Sequence, residues 1–296
     1  MTQIVHFAGL GSMGLGMARS AVEAGLAVHG FDPTEQRVAD LVQAGGQALH
    51  RASPKSDVLV CVVLNADQTR ASLFGPDGWA DLLKPGGVIV GCATVSPDFA
   101  REMETEATRR GLLYLDAPIS GGAAKAAQGK LSIMASGRPE AFDAARPVLD
   151  ALAETVHRLG DVAGPGSAMK AVNQLLAGIH IAAMGEALSF AASQQLDLSR
   201  VLDVIGVSAG TSWMFDNRAP HVIESDYAPR SAIDIWPKDL GIVTAIAEGA
   251  DLALPVTQTA LAQFRAASAA GLGHEDDAAI AKHVAKAAGI ALPGDA

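Results

Sequence analysis

Three clusters in this chain combine residue types and spacings that chemistry can use. The first is Gly9-Leu10-Gly11-Ser12-Met13-Gly14, which follows an apolar run at 4–8 and opens a helical pattern that stops at Gly25. A second apolar run, 26–31, ends in Asp32, 18 residues beyond Gly14. Glycine at 9 permits a tight turn, at 11 lets backbone approach a pyrophosphate, and at 14 lets the helix pack on the strand. The helix start around Ser12 and Met13 offers N–H groups and the positive end of its dipole to phosphates. Asp32 stands where an acid hydrogen-bonds the adenosine ribose; a carboxylate there would repel a 2′-phosphate, which favours NAD over NADP.

The second cluster is GPGSAMKAVNQ at 164–174, the opening of an alanine- and leucine-rich helix. If Ser167 caps that helix, Lys170 is the third helical residue, where the macrodipole disfavours a cation by roughly 0.3–1 kcal/mol. That field and partial burial would lower the lysine pKa, as a group exchanging protons near neutrality requires. Asn173 shares its face, so ammonium and amide could hold one substrate hydroxyl between them. A lysine snorkelling to solvent is the plain alternative. The third cluster, Ser120-Gly121-Gly122, joins a hydroxyl to sterically open N–H groups that could receive a carboxylate. It also reads as a simple capped turn.

These groups need elements to position them. Apolar runs at 57–64, 86–94, 112–119, 131–137 and 154–160 alternate with helical patterns, which implies a largely parallel, doubly wound α/β sheet of Rossmann type. Ligands of such sheets bind beyond the carboxyl ends of strands. Leu64-Asn65, Thr94 and Ser120 all stand at such ends. Beyond Gly160 only helical spacing recurs, at 167–194, 198–209, 239–250, 257–270 and 276–288. We therefore expect a nucleotide-binding domain over 1–162 and an all-helical substrate and oligomerisation domain over 163–296, entered through the long helix 167–194.

Composition excludes other classes. The chain has 296 residues, 49% hydrophobic and 18% charged, and a net charge of −10 with no basic run, so nucleic acid is not an expected partner. Its two cysteines, Cys61 and Cys92, lie in apolar runs without metal-ligand spacing, and the N-terminus lacks the pattern of a signal peptide, which suits a cytoplasmic setting. His180 and Glu186 interrupt the best candidate membrane span. HEDD at 274–277 reads as a solvated helix start rather than a metal cluster, and no metal is expected. Trp213, Met214, Phe215 and Trp236 read as packing.

Taken in order, GLGSMGLGM (9–17), DAPISGGAAKAAQGKLSIMASG (116–137), GPGSAMKAVNQ (164–174) and PKDLGIV (237–243) give the chain a further meaning. Over nearly its whole length it resembles the β-hydroxyacid dehydrogenases, the 3-hydroxyisobutyrate dehydrogenase-like family. LNADQTRASLFG, QLLAGIHIAAMGEAL and DYAPRSAIDIWPKDLGIV look closest to its L-threonate dehydrogenase branch. The resemblance implies that Lys170 is the catalytic acid/base and that Asn173 orients the substrate. It implies that Ser120, Gly121 and Gly122 bind the substrate carboxylate, that Thr94 lies beside the nicotinamide ribose, and that Lys238 closes over cofactor and substrate. It also implies a homodimer or homotetramer.

The resulting expectation is an NAD-dependent oxidoreductase that oxidises a secondary alcohol of a small hydroxy acid. An NADPH-preferring reductase of aldehyde acids is the alternative within the fold; Asp32, with no arginine before Arg37, speaks against it. A non-catalytic nucleotide-binding module would gain nothing from a cation at a helix start.

Overall fold

The computed structural model describes residues 2–294, in two compact units divided between Lys170 and Ala171. In the first, β1 (Ile4–Ala8), β2 (Ala27–Phe31), β3 (Gln47–Ala48), β4 (Ser56–Cys61), β5 (Leu83–Gly91) and β6 (Leu113–Asp116) form one all-parallel sheet in the order β3-β2-β1-β4-β5-β6. The helices α1 (Gly14–Glu23), α2 (Glu35–Gln43), α3 (Ala66–Phe74) and α4 (Pro97–Arg109) connect its strands. Both faces are buried, and β4 shows why its sequence is continuously apolar from Val58 to Cys61. Val58 and Val60 join one core cluster with Phe7, while Leu59 and Cys61 join the opposite cluster with Ile89. Strand order reverses between β1 and β4, and at such a switch point the strand ends open a crevice for ligand.

The apolar run at 112–119 proves to be two strands. β6 ends at Asp116, and β7 (Ile119–Ser120) pairs antiparallel with β8 (Leu131–Ala135), which runs parallel to β9 (Ala153–Arg158) in a separate three-stranded sheet. Pro118 lies between them and has no N–H to give a ladder, so the first sheet cannot continue through it. Two further helices, α5 (Gly122–Ala126) and α6 (Pro139–Leu152), complete the fold up to α7 (Pro165–Ser193).

α7 is 29 residues long and apolar enough to cross a membrane by length and composition, yet half of its most apolar stretch is buried inside the protein. It is a core helix of the second unit, where Ile181, Met184 and Leu188 pack with Phe215, Trp236, Leu240, Phe264 and Ile280. The partners come from α9 (Trp213–Ile223), α10 (Ile235–Glu248), α11 (Pro255–Ala267) and α12 (Ile280–Ala287), while α8 (Leu198–Gly206) precedes them. Every regular element described in this unit is helical. Helical spacing alone misses α9; Ser212 starts it, accepting the Phe215 N–H at 3.0 Å. Phe215 and Trp236 are packed as expected, whereas Trp213 is 55% exposed.

The HEDD segment differs from a solvated helix start. Asp276 and Asp277 are fully buried. Asp276 pairs with His221 at 2.8 Å, and Asp277 with the Arg218 guanidinium at 2.5 Å and the Trp236 indole N–H at 3.0 Å. Buried carboxylates with this many donors tie helices together. Among the described residues no group of three or more His, Cys, Asp or Glu side chains is placed to hold a metal.

Candidate active site

The chain leaves β1 at Gly9 with φ of +99°, and a Cβ there would lie 2.2 Å from the Val62 carbonyl oxygen. At Gly14 a Cβ would lie 2.1 Å from the oxygen of Gly9. Gly11 is the opposite case, with nothing nearer than 3.9 Å, so its face of the loop stays open. No side chain caps the first turn of α1, which follows Ser12 and Met13. Its N–H groups and the open glycine fit a pyrophosphate.

Asp32 closes the loop from the end of β2. Its carboxylate accepts the Leu10 and Thr34 N–H groups, each at 2.9 Å. Burial pushes its carboxyl up, but these two N–H donors and the charge of Arg37 outweigh burial and hold it below the usual carboxylate range. Arg37 Nη1 lies 3.5 Å from both oxygens. The spacing that made Arg37 look remote is bridged by the first turn of α2, so an arginine does stand beside this carboxylate. Leu64 and Asn65 follow β4; Leu64 is exposed and Asn65 caps α3 by accepting the Gln68 N–H at 2.9 Å. Thr94 follows β5 and is partly buried.

A second group gathers around Lys170. α7 begins at Pro165, so Ser167 lies inside the helix and is not its cap, and Lys170 is in the second turn rather than the third position. The capping acceptor comes from elsewhere in the chain. Asp116, at the end of β6, accepts the N–H groups of Gly164 at 3.0 Å and Ser167 at 2.8 Å, and the Ser167 hydroxyl at 2.6 Å. Ser136 accepts the Gly166 N–H at 2.9 Å. A buried carboxylate against the helix start answers its positive end, so the dipole acts on Lys170 less than the sequence suggested. Burial nevertheless raises the Asp116 carboxyl above its ordinary range, with the bonds from Ser167, Gly164 and Ser136 opposing it.

From that anchor, Lys170 reaches back to β7 and donates from Nζ to the Ile119 carbonyl at 2.8 Å. Lys170 is 8% exposed, which removes the solvent-snorkelling alternative. Its amine thus stands one residue from Ser120, and Gly121 and Gly122 follow with φ of +133° and +77°. The structure brings Lys170 to the Ser-Gly-Gly turn.

In the second unit a third group forms. Asn173 donates to the Gln174 side-chain carbonyl at 2.9 Å, and Gln174 donates to Asp239 at 2.5 Å. Lys238 pairs with the other Asp239 oxygen at 2.5 Å. Sequence reasoning passed over Asp116, Ser136 and Asp239. Their signals were an acid directly after an apolar strand and an acid beside an expected functional lysine.

A parallel sheet ordered in this way, with its glycine loop and the buried carboxylate that follows β2, defines a Rossmann-type dinucleotide-binding protein. Family comparisons agree. The profile of the NAD-binding domain of 6-phosphogluconate dehydrogenase matches residues 4–160, and that of the NAD-binding domain of NADP-dependent 3-hydroxyisobutyrate dehydrogenase matches 164–284. The chain is similar to L-threonate dehydrogenase of Pectobacterium atrosepticum (47% identity over 93% of this chain and 91% of that one). It is similar to L-threonate dehydrogenase of Cupriavidus necator as well (44% identity over 100% of both). A crystal structure of 3-hydroxyisobutyrate dehydrogenase from Salmonella typhimurium superposes with a TM-score of 0.90 at 47% identity, covering 95% of this chain and 99% of that one. The chain belongs to the 3-hydroxyisobutyrate dehydrogenase-like family: it is an NAD-dependent hydroxyacid dehydrogenase, acting on a CH–OH group.

Proposed function

We propose that this enzyme oxidises the secondary alcohol of a small polyhydroxy acid of the L-threonate type, with Lys170 as acid/base. One observation carries the reading: the Lys170 amine is buried and held at 2.8 Å on the Ile119 carbonyl, one residue from Ser120-Gly121-Gly122. A carboxylate received by that turn fixes which hydroxyl faces Nζ, and such orientation lowers a barrier by several kcal/mol, on the order of the effective-molarity effects of bound reactants. NAD supplies the hydride acceptor when bound. Lys170 takes the hydroxyl proton, and Asn173, one helical turn on, orients the substrate. Gly9, Gly11, Ser12, Met13 and Gly14 would hold the pyrophosphate and Asp32 the ribose, with Leu64, Asn65, Thr94 and Lys238 completing the cofactor's surroundings. The relatives named L-threonate dehydrogenase support the choice of substrate.

On this reading residues 1–162 are the NAD-binding domain and 163–296 the substrate and oligomerisation domain of a cytoplasmic enzyme. A second copy of the chain is the partner we assign to this enzyme, as a homodimer or part of a homotetramer. An NADPH-preferring reductase is disfavoured by the carboxylate of Asp32.

Initial rates of NAD reduction with L-threonate, D-erythronate, D-glycerate, 3-hydroxyisobutyrate and 3-hydroxypropionate test the substrate class. We expect the four-carbon polyhydroxy acids to lead. Lys170→Ala should lower kcat by about 10²–10⁴-fold or more while NAD binding stays nearly unchanged. Turnover that survives the substitution, or a preference for 3-hydroxyisobutyrate, would refute the corresponding part of the proposal.

A further inference from the structure

The chain Asp239–Gln174–Asn173 has a direction that chemistry dictates. A carboxylate only accepts hydrogen bonds, so the end of the Gln174 amide facing Asp239 at 2.5 Å must be its NH₂. The Gln174 carbonyl is then the end that meets Asn173 at 2.9 Å, so Asn173 must turn its own NH₂ to Gln174. Rotating either amide by 180° would set two donors or two acceptors against each other in a largely buried place. Gln174 is 8% and Asp239 2% exposed, and an unmade hydrogen bond there costs on the order of 1–3 kcal/mol. Lys238, 2.5 Å from the other oxygen of Asp239, keeps a cation against the start of the relay.

We propose that this relay makes Asn173 a fixed hydrogen-bond acceptor that selects substrates carrying a hydroxyl beside the one being oxidised. The inference rests on the assignment of Asn173 to the substrate. With one of its two N–H groups bonded to Gln174 and the orientation of its amide fixed by that bond, the end that Asn173 turns away from the relay is its carbonyl oxygen, and what a carbonyl oxygen reads is an O–H. A site built around such a bond discriminates strongly against an analogue that lacks the hydroxyl, because its own polar atom is left unpaired. Asp239 and Gln174 are positioning residues in this scheme, acting on the substrate only through Asn173.

The test is the ratio of kcat/KM for L-threonate to that for 3-hydroxypropionate, measured at saturating NAD. Gln174→Met keeps the bulk of the side chain and removes the relay. It should cut the ratio at least tenfold through loss of L-threonate activity, with the KM for NAD changed less than twofold. Asn173→Ala should cut the ratio similarly, and the double variant should be no worse than the poorer single one. The swap Gln174→Glu with Asp239→Asn leaves an acceptor-only group against Asn173 and should retain the ratio. An unaltered ratio in Gln174→Met overturns the relay, as does a double variant whose losses multiply, or a folded swap that loses the ratio. If Asn173→Ala leaves the ratio intact, the substrate assignment of Asn173 fails and the relay falls with it. Wild-type enzyme inactive on both acids would instead refute the proposed substrate class.

Discussion

At the scale of single residues, the site is governed by where each carboxylate finds its donors. Asp32 and Asp116 are both buried, yet their carboxyls move in opposite directions. Asp32 has two backbone N–H donors and the Arg37 cation, which together exceed the cost of burial; Asp116 has only neutral donors, and burial wins. The pairing with Arg37 bears on cofactor choice. An exposed guanidinium is a good partner for a phosphate, and in this chain it is 3.5 Å from an acid that repels one. Asp32→Asn removes the repulsion and releases Arg37, and should narrow the preference for NAD over NADP in kcat/KM by about tenfold or more, close to 1.4 kcal/mol. Parallel kinetics with the two cofactors check this, and an unchanged ratio would show that Arg37 does not reach the 2′ position. The thiols take no part: burial pushes Cys61 up to about 12, and Cys92 is raised as well.

At the scale of elements, one junction places the proposed base. α7 starts against the ends of β6 and β8 because Gly166 lets it: a Cβ there would lie 2.5 Å from the Met134 oxygen and 2.6 Å from that of Asp116. These are backbone atoms of strands and cannot rotate away. Gly166→Ala should therefore shift the helix start and with it Lys170, lowering kcat by roughly 10–100-fold through misplacement. The urea midpoint should fall by an amount matching about 1–3 kcal/mol. NAD affinity, which the proposed function assigns to the loop after β1, should hold. A variant with normal kcat would mean that the tip of Lys170 is set by its bond to Ile119 alone. The short elements in this region explain why it is hard to read from sequence. β7 has two residues and β3 two, too few to show any period.

At the scale of the whole molecule, acid stability has a traceable source. His6 on β1 is fully buried, with the His29 ring of β2 at 5.5 Å edge to face. Burial first, and the charge of His29 second, lower His6 from 6.5 to about 4, and His29 is lowered by burial and by His50. Both are neutral in the folded protein near pH 7, while the unfolded chain protonates its histidines near 6.5. The stability they contribute is therefore full above pH 6.5 and is lost as pH falls towards 4, to a limit of about 3 kcal/mol for His6. Urea denaturation at pH 7, 5.5 and 4 should show the midpoint falling, and His6→Leu should flatten that fall. An unchanged slope would assign the loss to the carboxylates.

The sequence by itself determined the nucleotide-binding fold, because its signals are local. GLGSMG, the apolar runs around it and Asp32 all lie within one βαβ unit, and helical spacing in the second half needs no long-range partner to be seen. Lys170 and Ser120-Gly121-Gly122 could be singled out for the same reason, by type and by place at element ends. The tertiary structure decided what depends on residues far apart in the chain. It showed that Asp116 rather than Ser167 caps α7 and that Lys170 rests on Ile119, 51 residues away. It showed that Asp239 sets the direction of the Gln174 amide from 65 residues off. Hydrogen bonds across such separations leave no periodic trace in sequence, since the fold alone determines which donor meets which acceptor.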